Sequence, residues 1–344
     1  MRRRNFLAGA LALVGLTGCT NSKTLRIWGL SGAIPGRSLK EFEQRTGVDY
    51  KIFATPHELW QALPDRKLEN PPAVVSLGDS WLDRAIQDNL IQPFTPALLQ
   101  QIPNWQELGK RWQTIGQRRG VVWGIPYRWG GTAIVYRRDL VPEPIKAWAD
   151  LWRPELARKV IVLDDASEVI GLTLKKLGKK YHLTQPESVP NLWAELQALQ
   201  RQVLTYSSTD YIQPLLLDEA WVSVGWTTDV RRPLRQNPNL IAEIPLEGTA
   251  LWADMWVIPK GEGGNLLAVA DWVNATLSVA FASQLSALTD AISPRPDLSL
   301  PANVTSDRLK FWEPGLLERS EFISDLSPEQ RKWQGEMWTK LRSS

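Results

Sequence analysis

Short apolar runs with strand periodicity alternate along this chain with stretches whose apolar positions recur every three or four residues. "TLRIWGL" (24–30) precedes a helical "RSLKEFEQRTG" (37–47), "VDYKIF" (48–53) precedes "PHELWQAL" (56–63), and "AVVSLG" (73–78) precedes "SWLDRAIQDN" (80–89). This β-α-β-α order predicts an α/β sheet with helices packed on its faces. The rhythm breaks at "GVVWGIPYRWGGTAIVYRR" (120–138), where two strand-like pieces meet around Trp129, Gly130 and Gly131 without a helix between them. "KVIVLD" (159–164) and a helix resume it, followed by the helical "PESVPNLWAELQALQRQ" (186–202). Strand-like "WVSVGW", "LIAEIPL" and "DMWVIP" come next, then one helix through "NLLAVADWVNATLSVAFASQ" (265–284). The last element is well signalled. Ser327-Pro328-Glu329-Gln330 supplies an N-cap, a proline at the first helical position and a capping-box glutamine. Trp333, Met337 and Leu341 follow at four-residue spacing and predict a docking stripe.

The N-terminus departs from this pattern. Arg2, Arg3 and Arg4 precede a short apolar core, Ala8 to Leu16, far below the ~20 residues needed to span a bilayer. Residues 1–18 read as an export signal, outside the fold. Leu16-Thr17-Gly18-Cys19 closes it in the pattern of a bacterial lipobox, and so resembles the lipoprotein signal family. That resemblance implies cleavage before Cys19, lipidation of its thiol, and a membrane tether over residues 19–23. Arg3-Arg4-Asn5-Phe6-Leu7 also resembles a twin-arginine export motif. The protein is expected to be exported, periplasmic or at the cell surface.

Removing the signal changes the charge argument. The chain carries 40 Lys+Arg and 37 Asp+Glu, and three of the bases lie before Cys19, so the mature chain is neutral. No basic run supplies the one-sided surplus a nucleic-acid binder needs. Cys19 is the only cysteine, so burial rather than a disulfide must hold the fold. Tryptophan is abundant, at 18 residues, which permits an aromatic-walled site beside the core.

Enzymatic templates mostly fail. His57-Glu58 begins like a zinc-protease helix, but the only other histidine is His182. Gly29-Leu30-Ser31-Gly32-Ala33 lacks the last glycine of a nucleophile elbow, and "GEGGN" (261–265) lacks the Lys-Ser/Thr of a phosphate loop. Neither metal nor cofactor is expected. Paired carboxylates alone leave a hydrolase as a rival.

The candidate chemistry lies in "KVIVLDDASEVIGLTLKKLG" (159–178). Asp165 and Glu168 there form an Asp-x-x-Glu pair at the start of a helix. Capping and the helix dipole account for such acids by themselves. Two further segments point beyond capping. "VGWTTDV" puts Trp226 and Asp229 after a strand, and "ALWADMWVIP" puts Trp252 and Asp254 on one face at the start of another. Trp28 ends the first strand. Strand ends in open α/β sheets are where ligands bind.

"GIPYRWGGTAIVYRRDLV", "IKAWADLWRPELARKVIVLDDASEVIGLTLKKLG", Gly225-Trp226 and "LWADMWVIP", taken in order, resemble the periplasmic spermidine/putrescine-binding proteins of ABC transporters. The similarity runs through the mature chain and is densest from Ile125 to Gly178. It implies a two-lobed α/β periplasmic-binding-protein fold with crossing strands, closing on a polyamine. Matched residue by residue, Trp28, Asp165, Glu168, Trp226, Trp252 and Asp254 fall on positions that line the family's cleft. Trp28, Trp252 and Asp254 would come from one lobe, and Asp165, Glu168 and Trp226 from the other. A buried ammonium needs such carboxylates, and tryptophan faces add cation–π attraction while covering methylenes.

Departures from the pattern keep the charges and lose neutral contacts. Gly29 stands where the family has a threonine, Gly78, Asp79 and Ser80 where it has hydroxyl and tyrosine contacts, and Ser293 where it has a tyrosine. Asp79, Ser80, Asp229 and Ser293 are therefore secondary ligand candidates. Arg231 and Arg232 would suit a zwitterion. The expected lobes are 24–129 plus 250–294, and 132–248 plus 297–344. The expected role is a monomeric, lipid-anchored solute-binding protein that hands a polyamine-like cation to a permease. A binder of a neutral solute, such as a sugar, or of an amino-acid derivative is the main rival.

Overall fold

The computed structural model describes residues 24–64, 71–181, 183, 185–261, 265–289, 291–295, 315–323 and 326–344. The expected export signal, the arginine motif, Cys19 with its expected tether, and His182 lie outside these residues, as does most of "GEGGN". So does the segment 296–314, which includes the start of the second lobe's expected last piece.

The opening strands Leu25–Leu30, Val48–Phe53 and Val74–Gly78 run parallel, with the first strand between the other two. The intervening helices are Gly36–Glu43, which follows Pro35 without a side-chain cap, and Pro56–Ala62. Thr55 accepts the Glu58 amide, and Pro56 opens its helix. The β-α alternation is as read from the sequence.

Two long antiparallel strands organise everything else: Ile125–Arg137 and Ala250–Pro259. The first is unbroken, where the sequence predicted two pieces meeting at the glycines. What changes at Gly130–Gly131 is the partner. Up to Gly131 the strand pairs with Leu251–Trp256, and from Thr132 onward with Val222–Trp226 and Leu240–Glu243. The second sheet continues through Val160–Val162 and Val203–Tyr206, both parallel to their neighbours. The second long strand also begins earlier than expected, at Ala250. Asp254 is therefore inside it, not at its start.

The apolar core changes where the partners change. Ala133 belongs to the cluster that includes Ile27, Val75, Trp256 and Trp272, whereas Ile134 belongs to the one with Trp148, Val160, Leu172 and Leu199. Ala250 and Leu251 divide in the same way. A third cluster, with Val135, Ile161, Tyr211 and Leu234, covers the far face of the second sheet. The apolar stretch 265–284, expected as one helix, is two: Leu266–Thr276 and Val279–Leu288, bent by 59°. The break falls at Ser278, whose hydroxyl accepts the Phe281 amide and caps the second helix. Among the described residues no single helix is long and apolar enough to cross a membrane. The final helix, Pro328–Arg342, has its capping box formed, and it docks on the second core through Trp333, Met337 and Leu341.

Candidate functional site

Asp165 caps the helix Ala166–Lys176, its Oδ1 accepting the amides of Ser167 (2.8 Å) and Glu168 (3.1 Å). The capping explanation is therefore correct as far as it goes. Glu168 is different. Only 3% exposed, its carboxylate accepts from the Tyr181 hydroxyl at 2.6 Å and from Thr132 Oγ1 at 3.0 Å. It does not return a bond to the cap, so there is no reciprocal capping box. Burial pushes its carboxyl up to about 7, and the charge of Asp165 adds to this against hydrogen bonds from Tyr181, Thr132 and Trp226. Asp165 itself stays open to solvent. Desolvation by the protein around it, rather than full burial, raises its carboxyl, and the two amide bonds oppose that rise. Among the described residues no lysine or arginine neutralises either acid. Two uncompensated carboxylates in a partly dry place are poised for a cation.

Trp226, at the end of its strand, belongs to this group. Its amide donates to the Tyr211 hydroxyl at 3.2 Å, and the two rings meet edge to face at 6.3 Å. Tyr211 in turn donates to Asp229. Asp229 is exposed and stands behind Trp226 as a support. With Arg232 it lines a separate surface pocket of about 390 Å³.

The opposite end is built on the two long strands, where Asp254 lies across from Arg128 on one side and Gly78 on the other. The register slips between Asp254 and Met255, leaving Tyr127 without a ladder partner. A bulge of this kind re-aims side chains. Tyr127 stacks on Trp256 at 4.3 Å and meets Ser76 Oγ at 2.9 Å. Arg128 reaches Asp254, with Nε at 2.7 Å and Nη2 at 2.6 Å from the same oxygen. Both side chains are below a tenth exposed. Asp254, expected to meet a ligand's ammonium, is thus already paired through one oxygen with a cation of the chain itself. Asp79, also buried, accepts the Ala253 amide at 3.0 Å. Desolvation, less that bond and plus the nearby charge of Asp254, pushes its carboxyl up to about 8. Ser80 is half-buried in the turn that follows.

Trp252 bridges the two ends. Its ring lies over Gly130, where an added Cβ would come within 2.3 Å of Cζ2 and 2.9 Å of Thr227 Oγ1. Arg128 sits 5.6 Å from the same ring. No contact among the described residues joins Trp28 to the other candidates. Trp28 is buried on the opposite face of its strand from Gly29, under Phe53 and the Lys51 ammonium, each about 5 Å away. Ser293 is buried too, its hydroxyl accepting the Arg295 amide at 3.4 Å. Sequence reasoning missed Arg128, Thr132, Tyr181 and Tyr50. The Tyr50 ring fills the space over Gly29, with its hydroxyl 1.9 Å from where a Cβ would be. A threonine at Gly29 would collide with that hydroxyl.

Two α/β units joined by shared long strands define a two-lobed fold. Residues 38–311 match the model of the bacterial extracellular solute-binding proteins, and the chain belongs to that family. It is 24% identical over 350 aligned positions to the spermidine/putrescine-binding periplasmic protein of Salmonella typhimurium, covering 99% of this chain and 98% of the relative. Among solved structures it is similar to the spermidine/putrescine ABC transporter substrate-binding protein PotD of Streptococcus pneumoniae. There the TM-score is 0.82 at 20% identity, over 93% of this chain and 98% of that one. It is also similar to the Tp0655 (TpPotD) lipoprotein of Treponema pallidum, with a TM-score of 0.76 at 17% identity, over 93% and 100% of the two chains.

Proposed function

We propose that this protein is the solute-capturing component of an ABC importer. It closes two lobes on an organic ammonium ion and delivers it to a membrane permease. The observation that carries the reading is the Asp165–Glu168 pair: two carboxylates, one fully buried, with no internal counter-cation among the described residues. Trp226 and Trp252 supply the faces that cover an alkyl chain, and binding and closure are its whole task, with no turnover. The named activities of its relatives support a polyamine-like cation as the class of solute.

The lobes are taken as 24–129 with 250–294 and 132–248 with 297–344, acting within a single monomer, although Leu316 and Phe322 pack on the first core. Cys19 is the lipid attachment point after export, a reading supported by the lipobox and by the lipoprotein of similar fold. Cys19→Ser should abolish membrane retention, measured by fractionation; normal retention would remove the anchor from the picture. Calorimetry of the mature protein with putrescine, spermidine, spermine, arginine and a neutral sugar tests the solute. Micromolar binding of at least one amine, weakened by salt, supports the reading. Binding of the sugar alone overturns it.

A further inference from the structure

The two ends of the site differ in charge and in hydrogen-bonding sense. At one end stand Asp165 and Glu168, both acceptors. At the other, Asp254 is already neutralised by Arg128 through two short bonds to one oxygen. A guanidinium does not lose its proton in a protein, so the positive charge here is permanent. Asp79, beside it, holds its proton more tightly than an ordinary carboxyl, because it is buried next to Asp254. That end therefore carries little net negative charge near neutral pH.

The polar atoms around Arg128 offer mainly hydrogens. The Trp252 indole N–H and the Tyr50 hydroxyl are both buried, with no hydrogen-bond partner among the described residues. Tyr50 lies close enough to Arg128 and Asp254 to feel both charges. An indole donates only, and so does a guanidinium. An ammonium also has only donors, so it would face donors and a fixed positive charge here. The Trp252 face, which could have attracted an ammonium, already has Arg128 5.6 Å from its centre.

Arg128, Gly130 and Thr132 share one face of the long strand, and Thr132 binds Glu168. At about 3.3 Å per residue, the strip between the ends is about 13 Å long. We propose that Arg128 is a specificity-determining residue: the site takes a solute with one ammonium, held at Asp165 and Glu168, and an acceptor oxygen at its far end, facing Arg128, Trp252 and Tyr50. This rests on the amine-binding reading above and narrows it, because the chain's own guanidinium takes the place of a second ammonium.

Three probes on one four-carbon frame test it by calorimetry at pH 8: putrescine with two ammoniums, 4-amino-1-butanol with a neutral oxygen, and 4-aminobutyrate with a carboxylate. The wild type should bind at least one oxygen-ended probe tenfold or more tighter than putrescine. Arg128→Met should reverse the order, and Arg128→Lys should keep it, with melting curves reporting whether each variant is folded. Should Arg128→Met fail to fold, the wild-type series and Arg128→Lys still decide. Putrescine equal to or tighter than both oxygen-ended probes on the wild type would overturn the proposal and leave the amine reading standing. If none of the three, nor spermidine, binds the wild type, the amine reading falls and this inference with it.

Discussion

Asp165 accepts the backbone amide of Glu168 at 3.1 Å while its own charge helps hold the Glu168 carboxyl at about 7. One residue thus fixes the helix start and loads its neighbour electrostatically. Capping does not compete with a binding role here, because the cap uses only one oxygen of Asp165 and none of Glu168.

Glu168→Gln separates the two. The side chain keeps an acceptor for Tyr181 and Thr132, the cap at Asp165 is untouched, and a costly buried charge disappears. Amine affinity should fall at least tenfold, about 1.4 kcal/mol, with an unchanged or higher melting temperature for the solute-free protein. Full affinity in the variant would return Glu168 to a structural role.

The pH response has a definite sign. Glu168 and Asp79 have folded-state carboxyls raised to about 7 and about 8, from ordinary values of 4.5 and 3.8. Between those limits the folded protein holds protons that the unfolded chain has released. Their contribution to stability is therefore full below about pH 4 and is lost as pH rises through 7 to 8. Amine binding runs the other way, strengthening as Glu168 ionises. Melting curves from pH 5 to 8, with and without an amine probe, should show the stabilisation by solute growing with pH. In Glu168→Gln that growth should be much reduced, and a solute effect independent of pH in the wild type would contradict the assignment.

Asp254→Asn should act mainly on the fold. It leaves the Arg128 guanidinium buried without its counter-charge, a loss of about 3–5 kcal/mol. The double variant Arg128→Met with Asp254→Leu should recover most of that, because a well-packed apolar pair can replace a buried ion pair. Urea denaturation of the wild type, single and double variants measures both. A single variant as stable as the wild type would mean that the pair is not desolvated as described.

Gly130→Ala tests the seat of Trp252. The new Cβ would overlap the indole at 2.3 Å and crowd Thr227, so the ring must shift. A stability loss of about 1–3 kcal/mol follows from overpacking. Amine binding should weaken by tenfold or more. Unaltered binding would show that Trp252 does not cover the solute.

Local chemistry made much of this legible. The β-α alternation, the Asp165 cap and the capping box at Ser327–Gln330 depend on neighbours in sequence, and each is found as read. What stayed hidden depends on register between distant strands. Arg128 and Asp254 each look out of place in an apolar strand, and only the pairing of those strands shows that they answer one another. The packing of Trp28 against Phe53 and Lys51 was hidden because a strand position does not announce which face a side chain takes. The helix break at Leu277–Ser278 was signalled by Ser278 but masked by unbroken apolarity on both sides.

The sharing of strands also bears on the order in which the molecule can assemble. Val75 lies beside Val257 in the first sheet, although more than half the chain separates them. Until residues 250–259 have been made, the strand Val74–Gly78 has an open edge, and the apolar faces of Ile27, Val75 and Leu77 lack Trp256 and Trp272. Closing so long a loop is entropically costly, and contacts of such separation slow folding. A nascent chain would stay extended and vulnerable to aggregation through most of its synthesis. A fragment ending after the first long strand should fail to form a stable sheet.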